Sequence, residues 1–156
     1  MVFKIEYLAD HMDAIPGLAR AHQAEWAAIT PHVTVSDRAA RFQARAGRGG
    51  IPTGFVAVVN GTVVGLACLV ECDLDSHRHL SPWLASVLVD PDYRGCGMGS
   101  ALSERVIEEA GALGFPRVFL VTLDKQDFYR RLGWATLEAT TFFEHPATVM
   151  VRDHQR

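Results

Sequence analysis

The order of hydrophobic patterns along the chain predicts an α/β (α+β) fold. It consists of a central mixed sheet of about seven strands, antiparallel at the start, with a parallel strand-helix-strand core. Three observations carry this. Asn60-Gly61 lies between two apolar runs, 54–59 and 62–71, and accepts the positive φ angles of a type I′ hairpin turn. Trp83 to Val89 has no strict polar alternation, as expected of a strand covered on both faces. After it come a glycine-rich turn, apolar residues at helical spacing (Met98, Leu102, Val106, Ala110, Leu113) and a second wholly apolar run, Val118 to Val121. Strand, helix and strand at this spacing make a right-handed crossover, which sets the two strands parallel.

The first element is a strand in which Phe3, Ile5 and Tyr7 alternate with Lys4 and Glu6. From Asp10 the spacing turns helical through Met12, Ile15, Leu18, His22, Trp26 and Ile29, with Pro16 tolerable only in a first turn or at a break. His22 on that apolar stripe reads as a core or rim histidine, or else as a base. Ser36 is placed to cap a second helix over 37–46, which Gly47-Arg48-Gly49-Gly50 stops. Arg38, Arg41, Arg45 and Arg48 recur every three or four residues, as on a solvated helix face or a binding surface. The polar stretch 72–81 forms a loop. Gly111 to Pro116 ends the central helix, and Asp124 can cap a short helix carrying Phe128, Tyr129 and Leu132 that Gly133 ends. Residues 135–151, rich in Thr, Phe and Val and broken at His145-Pro146, close the fold as a hairpin.

At 156 residues the chain suits one domain, 1–156, with a full core. A net charge of −3 and a pI near 6.1 argue against nucleic acid as the main partner. No run of about 18 apolar residues and no signal-peptide start is present, so the expectation is a cytoplasmic protein without a membrane partner. Cys68, Cys72 and Cys96 are expected as free thiols. Cys68, Cys72, His77 and His79 have the ligand types of a zinc site. However, two cysteines on one strand face would stand about 13 Å apart, too far to share an ion, so no metal is expected.

The turn after Val89 carries the chemistry. Asp90-Pro91 ends the strand, and Arg94, Gly95, Cys96, Gly97, Met98 and Gly99 lead into the helix. The first amides of a helix lack internal partners and carry the positive end of its dipole. Glycines let a ligand reach them without meeting a Cβ, which suits a phosphate or pyrophosphate. A dinucleotide fingerprint would need glycine at position 100, which is Ser, and a Walker loop would need a lysine that is absent. The loop instead resembles the acyl-CoA loop of the GNAT superfamily of N-acetyltransferases, Gln/Arg-x-x-Gly-x-Gly/Ala, with Arg94, Gly97 and Gly99 at its three fixed positions. The preceding Val-Asp-Pro-Asp-Tyr-Arg-Gly and the later Phe128-Tyr129-Arg-Arg-Leu132-Gly133-Trp134 are similar to that superfamily in the same order, and the resemblance is close from about Thr62 to Trp134.

The resemblance implies a GNAT-like sheet whose two parallel strands splay around acetyl-CoA as cosubstrate. Pantetheine would pair with the backbone of Leu88 and Val89, and residues Arg94, Gly95, Cys96, Gly97, Met98 and Gly99 would hold the pyrophosphate. It also implies direct attack of a primary amine on the thioester, with Tyr129 as acid toward the departing thiolate. The amide of Leu88 is the expected donor to the developing oxyanion. A lysine-type amine is neutral roughly once in 2,500 molecules at pH 7, and an α-amine about one time in seven, so a base matters. Glu71, at the end of the third strand, is the candidate, and it reads equally as an exposed carboxylate; with Asp73 and Asp75 it could also attract a cationic acceptor. The Asn that many superfamily members place after the second central strand is replaced here by Thr122-Leu-Asp124-Lys-Gln126-Asp. The acceptor would be a small-molecule, peptide or protein amine, and the Phe142-Phe143 hairpin could pair across a homodimer edge. A non-catalytic acyl-CoA sensor and a generic phosphate-binding module are the alternatives.

Overall fold

The computed structural model describes residues 2–154. Its frame is a seven-stranded sheet in the spatial order β1 (Lys4–Tyr7), β2 (Thr53–Val59), β3 (Thr62–Val70), β4 (Trp83–Val89), β5 (Arg117–Thr122), β7 (His145–Asp153) and β6 (Ala135–Phe142). Every neighbouring pair runs antiparallel except β4 and β5, which are parallel. Helices α1 (Ile15–Trp26) and α2 (Val35–Ala44) cover one face, and α3 (Met98–Ala112) and α4 (Gln126–Arg131) the other.

The period of two decides which residue feeds which layer. Val56 and Val58 of β2 join Leu18 and Phe42 under the first two helices, while Phe55 and Ala57 join Leu102 and Val106 of α3. Burying each large apolar side chain contributes about 1.5–3 kcal/mol, so both layers are fixed by the central strands. The β2–β3 turn is the expected one, with Asn60 at φ +49° and Gly61 at φ +80°.

Local chemistry moves several boundaries. The chain makes two 3-10 turns, Leu8–Asp10 and Met12–Ala14, before α1, so Pro16 falls in the first turn, and α1 stops before Ile29. Thr34, not Ser36, caps α2: its Oγ1 accepts from Asp37 N–H at 3.0 Å while the Asp37 carboxylate accepts from Thr34 N–H at 2.9 Å. This reciprocal pair starts the helix two residues earlier than expected. Asp124 does not cap α4; the Thr122 hydroxyl accepts the Lys125 N–H at 3.0 Å instead. The closing hairpin turns at Phe143 (φ +48°) and Glu144 (φ +70°), and His145-Pro146 begin β7. β7 enters beside β5, leaving β6 as a largely exposed edge strand.

Two irregularities open the sheet at its centre. β4 and β5 are in register only at Trp83 and Phe119, beyond which they diverge. Ser86 takes φ +57°, and Ser86 and Val87 together oppose the single residue Ala67 between the Leu66–Leu88 and Cys68–Ala85 pairs. An extra residue in one strand bends it, and here it turns β4 away from β5.

Candidate active site

The opening between β4 and β5 is a cleft of about 850 Å³ that passes from the α4 side of the sheet to the α1 and α2 side. Leu84 to Val87 form one wall and Leu120 to Asp124 the other. Asp90 donates its N–H to Val64 O at 2.8 Å, and peptide groups alternate along a strand. Leu88, in register with Leu66, therefore turns its peptide groups to β3, while those of Val87 and Val89 turn toward the opening. This corrects the expectation for Leu88: its amide is committed to the sheet and has nothing to offer a ligand. Val89 C=O accepts from Arg94 Nε at 3.1 Å, which leaves Val87 with the free groups nearest the bulge.

The glycine loop stands at the carboxyl end of β4. Gly95 (φ +79°) and Gly97 (φ +85°) lie where side chains are strained, and a Cβ at either would project into open space. Gly97 is the N-cap of α3 and has no side chain with which to satisfy the helix, and no acidic residue lies in the first turn. The first amides of a 15-residue helix are thus left uncapped beside open space, which fits a diphosphate. Met98 anchors that end, its side chain fully buried against α3's own layer. Cys96 is exposed. A Cβ at Gly99 would stand 3.4 Å from the Phe128 ring, so the first turn of α3 abuts α4. On the other flank Arg94 Nη2 reaches Glu25 of α1 at 3.3 Å.

Tyr129 lines the cleft from α4 and is only 7% exposed, with its ring edge-on to Phe128 and Trp134. Burial pushes its hydroxyl above the usual phenol range, so it holds its proton throughout the neutral region. Glu71 is exposed and does not line the cleft. Two residues later Asp73 does line it, half-buried and without a hydrogen bond or ion pair among the described residues. Burial pushes the Asp73 carboxyl up to about 6, against the opposing pull of Arg45 and Arg41.

The arginine run is solvated only in part, at Arg41 and Arg48. Arg38, Arg41 and Arg45 all line the cleft, and Arg38 is fully buried. Its guanidinium donates to Gln23 Oε1 (2.5 Å), His22 Nδ1 (2.8 Å), Thr30 Oγ1 (2.9 Å) and, at 3.4 Å each, to the carbonyls of Thr30 and Val33. His22 Nδ1 is therefore an acceptor. Burial first, then the charges of Arg38, Arg41 and Arg45, pushes His22 down to about 3, which makes it a neutral wall residue stacked on Trp26. Arg45 Nη1 donates to Ser86 Oγ at 2.9 Å and so ties α2 to the bulge. The cysteine and histidine set does not gather at one point: Cys68 is buried in the core, and His77, stacked on His79, is bonded to Ser76 and Glu138. Sequence reasoning named Asp73 only as part of an acidic group. The one available signal for the arginines was their repeat on a single stripe of α2.

A mixed sheet split beside a phosphate-ready helix end defines the class of acyl-CoA-binding transferase folds. Residues 17–134 match the model of the acetyltransferase (GNAT) family, and the chain belongs to that family. It is 33% identical over 90 residues to an acetyltransferase of Pectobacterium atrosepticum, covering 55% of this chain and 60% of that protein. It is also 36% identical over 89 residues to an uncharacterized N-acetyltransferase of Methanocaldococcus jannaschii, covering 54% and 39%. The matched segments thus span less than two thirds of these relatives' own lengths. Among solved structures, an aminoglycoside 6'-N-acetyltransferase complexed with coenzyme A superposes over 100% of this chain and 98% of its own, with TM-score 0.77 and 15% identity. A putative acetyltransferase from Salmonella typhimurium with its cofactor acetyl-CoA covers 100% and 96%, with TM-score 0.70 and 20% identity. At these identities the likeness is one of fold.

Proposed function

We propose that this protein transfers an acetyl group from acetyl-CoA to a primary amine within a ternary complex. The observation that carries the reading is the conjunction of three features: the diverging edges of β4 and β5, the uncapped start of α3 just beyond β4 and against Phe128, and Tyr129 and Asp73 both lining the cleft. When bound, the thioester supplies an activated acyl carbon and a sulfur leaving group. The amides from Gly97 onward hold the diphosphate, with Arg94 adding fixed positive charge. Val87 N–H is the backbone donor for negative charge developing on the acyl oxygen.

Asp73 takes a proton from the acceptor ammonium, directly or through water, so that nitrogen can form the N–C bond as the C–S bond breaks. A carboxylate held near 6 is mostly ionised at neutral pH yet more basic than an ordinary aspartate. Tyr129 Oη delivers its proton to the departing sulfur, whose thiol pKa near 8.5 requires only modest help, and regains one from the second proton the nitrogen sheds on becoming an amide, passed directly or through water. The test is thiol release from acetyl-CoA across a panel of amines, together with the melting shift produced by coenzyme A and by ATP. The reading expects release with at least one amine and a shift with coenzyme A alone. Coenzyme A binding without release from any amine supports the sensor alternative, and equal shifts with ATP support a generic phosphate site.

A further inference from the structure

The acceptor end of the cleft carries more positive charge than its own carboxylate balances. Arg38, Arg41 and Arg45 converge there, and none has a carboxylate within 4 Å among the described residues. Arg38 spends its donors on neutral groups, and Arg45 holds a serine hydroxyl. Arg41, one helical turn before Arg45, is exposed on the cleft wall and makes no side-chain hydrogen bond among the described residues. Of the other acids on the cleft wall, Glu25 is paired with Arg94, Asp75 with Arg78, and Asp124 lies on the β5 side. Among the acids that line the cleft, Asp73 is the one beside Arg41 and Arg45; Asp37, one turn before Arg41, lies off the cleft wall and is held in the Thr34 cap.

The groups left over are one carboxylate and two guanidiniums side by side. Resting on the transferase reading above, we propose that the acceptor is a free α-amino acid: its amine goes to Asp73 and its carboxylate to Arg41 and Arg45. An α-amino acid carries its two charges on one carbon, as this juxtaposition requires. Guanidiniums are suited to the carboxylate because their forked donors match its two oxygens. Trp26, Ile29, Phe142 and Phe143 line the same end, which makes an apolar side chain the matching third substituent. The excess positive charge works against polycationic acceptors, and a peptide N-terminus lacks the adjacent carboxylate.

The probe pair is N-acetyl-L-phenylalanine against its carboxamide, which has nearly the same shape and no charge, titrated calorimetrically into the protein saturated with coenzyme A. The acid is expected to bind at least tenfold tighter. Arg41→Gln, at an exposed position, is expected to bring the two within threefold while coenzyme A affinity changes less than twofold. Equal binding of the pair, or a preference that survives in both Arg41→Gln and Arg45→Gln, overturns the proposal. Thiol release with L-phenylalanine, L-phenylalaninamide and spermine separates its failure from that of the transferase reading. Turnover of the amide or of spermine at equal or higher kcat/KM refutes the amino-acid acceptor and leaves the transferase standing. Arg41-dependent binding of the acid with no thiol release from any amine leaves the anion site standing and removes the transferase.

Discussion

The two ends of the cleft are both built for negative charge, but from different materials. At the α3 end the donors are main-chain amides, fixed by the helix itself and exposed because residues 95, 97 and 99 carry no side chain. At the α2 end they are guanidiniums on long side chains, positioned by packing and by bonds to His22, Thr30 and Ser86. A backbone device reads any diphosphate and tolerates few substitutions. A side-chain device can be re-aimed by changing one residue, which suits the part of the molecule that chooses the acceptor. Tyr129 lines the cleft from α4, away from the arginines, so its removal tests the chemistry without touching either anion grip, whereas Asp73 sits beside Arg41 and Arg45 and serves both the chemistry and the acceptor amine.

The largest effect is expected from Tyr129→Phe. Losing a positioned proton donor should lower kcat by about 10²–10³-fold, with coenzyme A affinity, measured by calorimetry, within twofold of wild type. The buried ring keeps its contacts with Phe128 and Trp134, so the melting temperature should barely move. A tenfold loss of coenzyme A affinity would instead make Tyr129 part of the cofactor grip.

Asp73→Asn comes next, with a fall of about 10²-fold in kcat/KM at pH 7. In wild type, log kcat/KM should rise with pH and flatten above about 6, where Asp73 becomes ionised, and the variant should lose that limb. The stability consequence has the opposite sign. A carboxyl whose folded pKa is raised from 3.8 to about 6 keeps its proton longer in the folded state, so its contribution weakens as pH climbs from about 4 to 6. Asp73→Asn should therefore be no less stable than wild type at pH 8 and lose its advantage near pH 4, as urea melts at the two pH values would show.

At the backbone end, Gly97→Ala should weaken coenzyme A about tenfold by placing a Cβ in the open space beside the helix's first amides. It should also cost about 1–2 kcal/mol of stability, because φ +85° strains any side chain. If affinity holds while stability falls, the diphosphate does not use this turn.

The contrast also explains what could be read from residues alone. The backbone end is local: a strand, three glycines and a helix within about thirty positions carry it, and the Asn60-Gly61 turn and the β4-α3-β5 crossover are equally local. The bulge at Ser86 left no mark, because a serine at φ +57° is imposed by the register of β3 and not by its own preference. That register also decides that Val87, not Leu88, faces the opening. The acceptor end joins α1, α2, the 72–76 segment and the 142–143 turn, more than a hundred residues apart. Arg38 illustrates the difficulty: on a polar helix face it reads as solvated, and only Gln23, His22 and Thr30 folding over it make it a buried residue.

The smallest expected effect is also the sharpest test of where the acceptor end lies. Glu71 and Asp73 are two residues apart at the end of β3, and both are acids of the kind a base requires. Glu71 points its charge to solvent, whereas Asp73 lies on the cleft wall beside two arginines. An exposed carboxylate off the cleft wall keeps its hydration and has no path to the acceptor amine, so Glu71→Gln should change kcat/KM less than twofold and leave the rise toward pH 6 intact. Should Glu71→Gln remove that rise while Asp73→Asn spares it, the proton would leave the acceptor on the outer side of the strand. The arginine end of the cleft would then lose its claim to hold the substrate.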